Sequence, residues 1–311
     1  MIDFLPIIAE DETLYSIIQR YHSYSSNGTN EKRTISEFWG MERATPYIML
    51  PNYLISIEKQ FKRIGLNVND IINRFTMLPY IKCFITRTEY ENIKYRMIYT
   101  KGAALYSTYI KVARNDNSIY KIKYCPICAK KDLRMYSDVI IHRIPQIEEA
   151  FVCYKHGCFY NEYKRDMNKY KITDKKLEGL SIKNINMQVR YPDNYENNIL
   201  IFISNEIAYL LNMDLNIFKD DLLNVCRSKL IDSGYFLDKD MLIDKKLVED
   251  MNYYYKQLNN YKIHITKGER SPFTSRKFFQ PEPIDYIILV KVTFGSIKNL
   301  ITTLYTSQIK H

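Results

Sequence analysis

Apolar residues recur every three to four positions along much of this chain, which is the spacing of one face of an α-helix. Residues 10–25 show this pattern and are predicted to form a helix. Acidic residues in its first turn suit the positive end of the helix dipole. An Asn-Gly pair then predicts a loop over residues 26–30. A short helix over residues 34–39 is predicted next, because Thr34 and Glu37 have the spacing of a capping box.

Two further short helices are predicted in the N-terminal third. Residues 52–64 carry apolar side chains on one face and stop at Gly65, and residues 68–75 repeat the pattern. Short helices joined by tight turns are typical of a helix-turn-helix unit, although any small helical bundle shares this periodicity. Pro79 is then expected to interrupt the chain, and residues 86–113 to form one long helix.

The second half of the chain continues the helical pattern after a polar stretch at residues 161–198, which predicts loops and short elements. Helices are expected over residues 199–212, 219–233 and 245–258, then a basic loop at 272–283, then two helices within 284–305 that break near Gly295. With only 9 Gly and 10 Pro in 311 residues, the composition also favours helices. The predicted fold class is mainly α.

The most specific motif in the chain is a Cys-x-x-Cys pair, a gap of 24 residues and a Cys-x-x-His pair, formed by Cys125, Cys128, Cys153 and His156. Thiolate and imidazole are the ligands that zinc prefers, and a structural site takes four of them in a tetrahedron. Such a site leaves no open position for a reactive water. The zinc is therefore expected to hold structure and not to catalyse.

Disulfides, a redox motif or unrelated core cysteines are the alternatives to zinc. Six cysteines are ordinary usage for 311 residues, and the acidic N-terminal stretch lacks the basic region of a secretory signal. We therefore expect a cytoplasmic protein with reduced thiols, a setting that favours metal. Cys158 could compete as a ligand and His142 is a weaker rival. Cys83 and Cys226 are expected to be buried small hydrophobes.

The cysteine motif divides the predicted helices into three parts. They are an N-terminal helical helix-turn-helix domain over residues 1–118, a zinc-binding module (zinc finger) over 119–160, and a C-terminal helical, second helix-turn-helix-like domain over 161–311. No apolar run approaches the roughly 20 residues that a bilayer span requires, so no membrane contact is expected.

The net charge of +10 is unevenly distributed along the chain. Residues 121–190 hold fifteen Lys and Arg against eight acids, and residues 256–280 hold six against one. Such clusters attract polyanions and supply phosphate contacts, which favours nucleic acid as a partner. An AT-rich coding bias would explain the total charge and the 28 tyrosines, but less easily the clustering.

No catalytic constellation is evident, so the chain is not expected to be an enzyme. It lacks a Gly-rich phosphate loop and a G-x-S-x-G elbow. The neighbouring acids Glu148 and Glu149, like Asp220 and Asp221, would diverge on a helix and are expected to be solvated.

Seven stretches of the chain together resemble the TniQ/TnsD family of transposon target-selection proteins. The opening is similar to the N-terminal signature of the family, and YCPIC and CYKHGC are similar to its zinc-binding motifs. Tyr154 replaces the usual Pro after the third cysteine, which leaves the ligand unchanged. The other stretches are TISEFWG, LPNYL, FTMLPYIKCF and EPIDYIILVKVTFGSI, and the signature residues are Pro6, Asp11, Glu12, Leu14, Tyr15, Ser16 and Arg20.

The resemblance implies a non-enzymatic bacterial protein that binds double-stranded DNA at an attachment site. It would select the target of a heteromeric transposon of the TnsABC type and recruit the AAA+ ATPase TnsC. The alternative is a TniQ-type adaptor that links a CRISPR effector complex to TnsC, because the chain stops at His311 where TnsD-type chains usually carry a further region.

Basic residues near the zinc module are the first candidates for phosphate contacts under this resemblance, and a second candidate patch lies in the basic loop. The first group is Lys130, Lys131, Arg134, Arg143 and Lys155, and the second is Arg270, Arg276 and Lys277.

Overall fold

The computed structural model contains thirteen α-helices and two antiparallel strand pairs within its described residues, so the mainly helical fold class is confirmed. The residues described are 2–28, 30–42, 44, 46–101, 121–164, 177–193, 198–213, 215–238, 241–242, 244–259 and 282–308.

The helices lie in three runs along the chain. The first is α1 (Leu14–Tyr24), α2 (Glu31–Trp39), α3 (Leu54–Phe61), α4 (Val68–Phe75), α5 (Leu78–Lys82) and α6 (Arg87–Tyr99). A hairpin of β1 (Lys121–Tyr124) and β2 (Asn161–Lys164) then encloses α7 (Pro126–Tyr136) and α8 (Arg143–Gln146). The last run is α9 (Ile199–Asn212), α10 (Lys219–Asp232), the strands β3 (Phe236–Asp238) and β4 (Met241–Leu242), α11 (Asp244–Asn259), α12 (Pro283–Phe294) and α13 (Ile297–Gln308).

The second helix begins earlier than predicted. The side chain of Asn30 accepts a hydrogen bond from the backbone N–H of Arg33, so Asn30 and not Thr34 is the N-cap of α2. Thr34 is buried inside the helix, and its hydroxyl lies 2.7 Å from the ring of His22 on α1. The Thr34 hydroxyl therefore joins two helices instead of capping one.

A tight turn links α3 to α4, and the helix-turn-helix assignment itself stays a prediction. A short 3₁₀ turn, Lys62–Ile64, ends at Gly65, whose φ of 77° lies in the left-handed region that glycine adopts without strain. Asn67 and Asp70 then form a capping box at the start of α4.

The segment after α4 differs from its prediction in two ways. Pro79 lies in the first turn of α5, where a missing backbone N–H costs little, and it does not interrupt the chain. The next helix begins where it was predicted, with Thr86 as its N-cap, but it ends at Tyr99. The predicted continuation over residues 102–113 lies outside the described residues.

One apolar core continues through all three predicted parts of the chain. The Phe84 ring lies 5.7 Å from that of Tyr286 on α12, and the carbonyl of Ile85 accepts from the backbone N–H of Lys219 on α10. Helices α9 and α12 are apolar on most sides and supply much of the C-terminal core. The division at residues 118 and 160 stays a prediction.

Within the described ranges, no single helix is both long and apolar enough to cross a bilayer. The segments Pro283–Phe294 and Ile297–Thr306 reach that length only as a pair, and they meet at a bend of 66°.

Candidate metal centre and nucleic-acid surface

The junction of β1 and α7 positions the first two cysteines. Cys125 is the N-cap of α7, and its sulfur accepts a hydrogen bond from the backbone N–H of Cys128 at 3.4 Å. Pro126 occupies the first turn of the helix, where its fixed φ suits the helix and its missing N–H costs nothing. The start of α7 therefore brings both sulfur atoms to one side of the helix end.

A tight turn positions the other two predicted ligands. Val152 and Phe159 form an isolated antiparallel bridge, and between them the backbone N–H groups of His156 and Gly157 donate to the carbonyl of Cys153. Gly157 has a φ of 63°, which a residue with a side chain adopts only with strain. The turn therefore depends on glycine directly after the histidine.

The four predicted ligands come together in the structure, with their donor atoms all within 4.8 Å of one another. Nδ1 of His156 lies 3.5 Å from each of the three cysteine sulfurs, and the sulfurs of Cys128 and Cys153 are 3.9 Å apart. A tetrahedral zinc ion with bonds of about 2.3 Å to sulfur and about 2.0 Å to nitrogen would give edges of about 3.8 Å between sulfurs and about 3.5 Å from sulfur to nitrogen. This group, which we call the metal cluster, could therefore hold a metal ion of that size.

Cys158 is a fifth thiol beside the metal cluster. Its sulfur lies 3.5 Å from that of Cys125, but it is not among the four mutually close donors. Thiol hydrogen bonds from Cys128, Cys153 and Cys158 lower the pKa of Cys125, because they stabilise its thiolate. All six cysteines of the chain lie in the described ranges and are free thiols.

His142 lies apart from the metal cluster. Its Nε2 is 2.9 Å from a carboxylate oxygen of Asp132, and its Nδ1 is 3.0 Å from the carbonyl oxygen of Glu10. Burial alone would lower the pKa of His142, but the hydrogen bond and the charge of Asp132 raise it above its usual value. Cys83 and Cys226 are buried as expected, and burial raises the pKa of each to about 12.

Buried charges tie the N-terminal segment to the polypeptide around the metal cluster. Arg143 donates from Nε to Asp11 at 3.0 Å and from Nη1 to the carbonyl of Asn73 at 2.8 Å. Within the N-terminal segment itself, Arg20 donates from Nη1 to both carboxylate oxygens of Glu12, at 3.1 and 3.2 Å. Sequence reasoning missed these contacts, because a single sequence carries no signal that pairs residues 11 and 143.

A half-buried lysine holds the loop that follows α8. The Nζ atom of Lys123 donates to the carbonyls of Ile147 at 2.6 Å and Ala150 at 2.9 Å, and burial lowers the pKa of Lys123 to about 8. Glu149 is buried, and it accepts a hydrogen bond from the hydroxyl of Tyr80 at 3.2 Å. Burial raises the pKa of Glu149 to about 7. The expectation that Glu149 is solvated is wrong, because this loop turns the carboxyl into the core.

The predicted phosphate contacts have different surroundings. Three are exposed on α7, namely Lys130, Lys131 and Arg134. Lys155 is exposed, but its Nζ lies 2.8 Å from a carboxylate oxygen of Glu10. The Arg143 side chain is only 4% exposed and donates within the fold, so we do not propose it as a phosphate contact. The remaining three lie outside the described residues, namely Arg270, Arg276 and Lys277.

Comparisons with known proteins add a family match to this geometry. A family model described as TniQ matches residues 4–159, which is half of the chain and includes the whole metal cluster. The transposon Tn7 transposition protein TnsD of Escherichia coli is 24% identical over 153 residues, which are 49% of this chain and 30% of that protein. The chain thus spans less than a third of the length of this curated relative.

Proposed function

Because this chain belongs to the TniQ family, we propose that it selects the DNA target of a transposition system. In this role it binds double-stranded DNA and recruits an AAA+ ATPase of the TnsC kind to that position, and it catalyses no step itself. The similarity to a transposition protein, which extends across 49% of the chain, supports the role in transposition. The contact with DNA rests on the exposed cations of α7.

The observation that carries DNA binding is the charge of α7. Lys130, Lys131 and Arg134 lie within about one helical turn of one another and face solvent. Asp132, the one acid in this helix, is buried and bound to His142. The exposed charges of α7 are therefore all positive, which suits the closely spaced phosphates of a duplex.

We infer that the ion of the metal cluster is zinc, held by Cys125, Cys128, Cys153 and His156. Three sulfurs and one imidazole nitrogen at tetrahedral spacing are typical of structural zinc sites. Bound zinc would link the first turn of α7 to the tight turn at residues 153–158. The α7 cations would then keep a fixed position relative to the hairpin, which is what a rigid contact with the DNA backbone requires.

Salt-dependent duplex binding by the purified full-length chain tests this proposal. We expect the logarithm of the association constant to fall linearly with the logarithm of the salt concentration. Replacing the three α7 cations with Ala should reduce that slope by up to about 2.7, at roughly 0.9 for each phosphate contact. Lys229→Ala, at an exposed position of α10, is the matched control and should leave the slope unchanged.

Two results would count against the proposal. No duplex binding by the wild-type chain at low salt would refute DNA binding altogether. An unchanged slope in the triple variant would remove α7 from the contact and leave the proposal without its main support.

Exposed tyrosines favour a second candidate function. The rings of Tyr95 and Tyr99 lie with their centroids 5.0 Å apart on the exposed side of α6, and tyrosine is enriched at protein interfaces. The alternative is therefore an adaptor that links a CRISPR effector complex to the TnsC-type ATPase. Co-expression with the proteins encoded beside this chain separates the two functions, since only the adaptor should co-purify with an effector complex.

A further inference from the structure

Helix α4 packs against α3 with one face and exposes the other. Its apolar residues Ile71, Ile72 and Phe75 are buried, and the Phe75 ring lies 5.7 Å from that of Phe61 on α3. The exposed side chains of α4 are all polar, and they are Asn69, Asn73 and Arg74. The solvent side of α4 therefore offers hydrogen-bonding groups from its first turn to its last.

The surroundings of this face are positively charged. Lys59, Lys62 and Arg63 are exposed at the end of α3 and in the turn that leads to α4. The nearby acids are used within the fold, because Glu58 accepts from the backbone N–H of Val68 at 3.0 Å and also pairs with Lys62 at 3.2 Å. Asp70, on α4 itself, accepts from the backbone N–H of Asn67 at 2.8 Å in the capping box. Cations dominate the solvent side of the α3–α4 unit.

We propose that α4 is a base-reading helix that enters the major groove of double-stranded DNA, with Asn69, Asn73 and Arg74 as the residues that face the base edges. This inference rests on the proposed function, and it adds the residues that would give sequence preference. Asn pairs with adenine through two hydrogen bonds and Arg pairs with guanine in the same way. Lys59 would contact a phosphate beside the groove.

The spacing of the two asparagines fits this role. Residues four apart on a helix are separated by about 6 Å along its axis, and their side chains lie on one face. Successive base pairs of a duplex are about 3.4 Å apart, so Asn69 and Asn73 can reach base pairs about two steps apart. A protein partner would use aromatic or apolar anchors, and the exposed positions of α4 carry none.

The α4 surface differs in kind from the α7 surface. The exposed charges of α7 are all cations, which position a protein on the backbone of any sequence. The exposed face of α4 combines side-chain amides with a guanidinium, which can distinguish bases. The two surfaces therefore predict different effects of mutation on affinity and on specificity.

Selection from a library of random duplexes, with the purified full-length chain, tests the inference. The wild-type chain should enrich a motif that contains adenine. Asn69→Ala and Asn73→Ala should each relax the preference at one position by roughly 5- to 150-fold, while binding to non-specific duplex changes by no more than about twofold. Lys59→Ala is the matched control, because it should weaken binding to all sequences alike and keep the motif.

Folding of the variants is checked by the fluorescence of the one tryptophan, Trp39, which is fully buried next to this unit. A motif unchanged in both Asn variants would overturn the inference and leave the proposed function intact. An equal loss of affinity for every sequence would also overturn it, because it would make α4 a backbone contact only. A wild-type chain that binds no duplex would overturn the proposed function as well.

Discussion

Arg20→Ala is expected to leave Glu12 as an unpaired charge in the core. The two side chains are 3% and 0% exposed, so water reaches neither of them. Without Arg20, the carboxylate of Glu12 keeps two donors, the backbone N–H of Ala9 at 2.9 Å and the hydroxyl of Ser16 at 2.7 Å. Both donors are neutral, so the negative charge has no opposite charge in direct contact.

Removing one partner of a buried ion pair costs about 3–5 kcal/mol of stability, because the remaining charge stays desolvated. For a chain of this size, that cost corresponds to a fall of about 5–8 °C in the unfolding midpoint. Arg33→Ala provides the matched control. Arg33 is 58% exposed and pairs with Glu37 at 3.5 Å, and a surface pair of this kind contributes at most about 0.5 kcal/mol.

The loss of stability in Arg20→Ala should also depend on pH in a defined direction. Burial raises the pKa of Glu12 above its usual value, because desolvation outweighs the attraction to Arg20. A carboxyl whose folded pKa is raised contributes stability below its unfolded pKa and loses it as the pH rises through the folded value. Removing Arg20 raises the pKa of Glu12 in the folded state further. The difference in the free energy of unfolding between Arg20→Ala and wild type should therefore be smaller at pH 5 than at pH 7.5.

Urea unfolding of both variants and wild type, at pH 5 and at pH 7.5 with saturating metal, measures these differences. The double variant Glu12→Gln with Arg20→Met removes both charges and should recover part of the loss, since no unpaired charge remains. A loss below about 1 kcal/mol for Arg20→Ala, or the same loss at both pH values, would refute the reasoning.

Two further predictions concern the metal cluster and the buried acid. Cys125→Ser should lose the bound metal and unfold the surrounding segment, because metal-binding energy is also folding energy, whereas Cys158→Ser should keep one metal ion per chain; elemental analysis of both variants checks this. Glu149→Gln should flatten the decline in stability between about pH 4.5 and 7. The pKa of Glu149 is raised to about 7, so the neutral carboxyl stabilises the fold in acid and this stabilisation is lost as the pH rises. That loss of stability is about 3 kcal/mol and is measured by urea unfolding across the range. Metal retained by Cys125→Ser, or parallel pH curves for Glu149→Gln and wild type, would contradict these predictions.

The helices were predictable from sequence because burial of one face is a local property. Helix α9 has the bounds expected from its apolar run, and Gly295 ends α12 in a left-handed conformation close to where the break was expected. The grouping of the four ligands was predictable for the same reason, since short spacers bring each pair together. Asn30 was harder to predict as a cap, because the chemistry of Thr34 suits that position equally well.

The surroundings of single charged residues could not be predicted from the sequence. Arg134 and Arg143 both lie between the two ligand pairs in the sequence, but Arg143 donates to Asp11 in the interior and Arg134 faces solvent. Glu149 likewise differs from Glu148 only in the direction of its side chain in a turn. Such differences depend on which distant segments meet, and apolar periodicity carries no information about that.

The backbone pairing of residues 11–13 with residues 141–143 constrains the order in which the protein can be completed during translation. The backbone N–H of Thr13 donates to the carbonyl of Ile141, and the backbone N–H of Arg143 donates to the carbonyl of Asp11. Asp11 and Arg143 are 132 positions apart in the chain. A nascent chain that has reached only α6 holds Asp11 without its guanidinium partner and Thr13 without its acceptor. Fragments cut between α6 and β1 would therefore be incomplete near their own beginning, far from the cut.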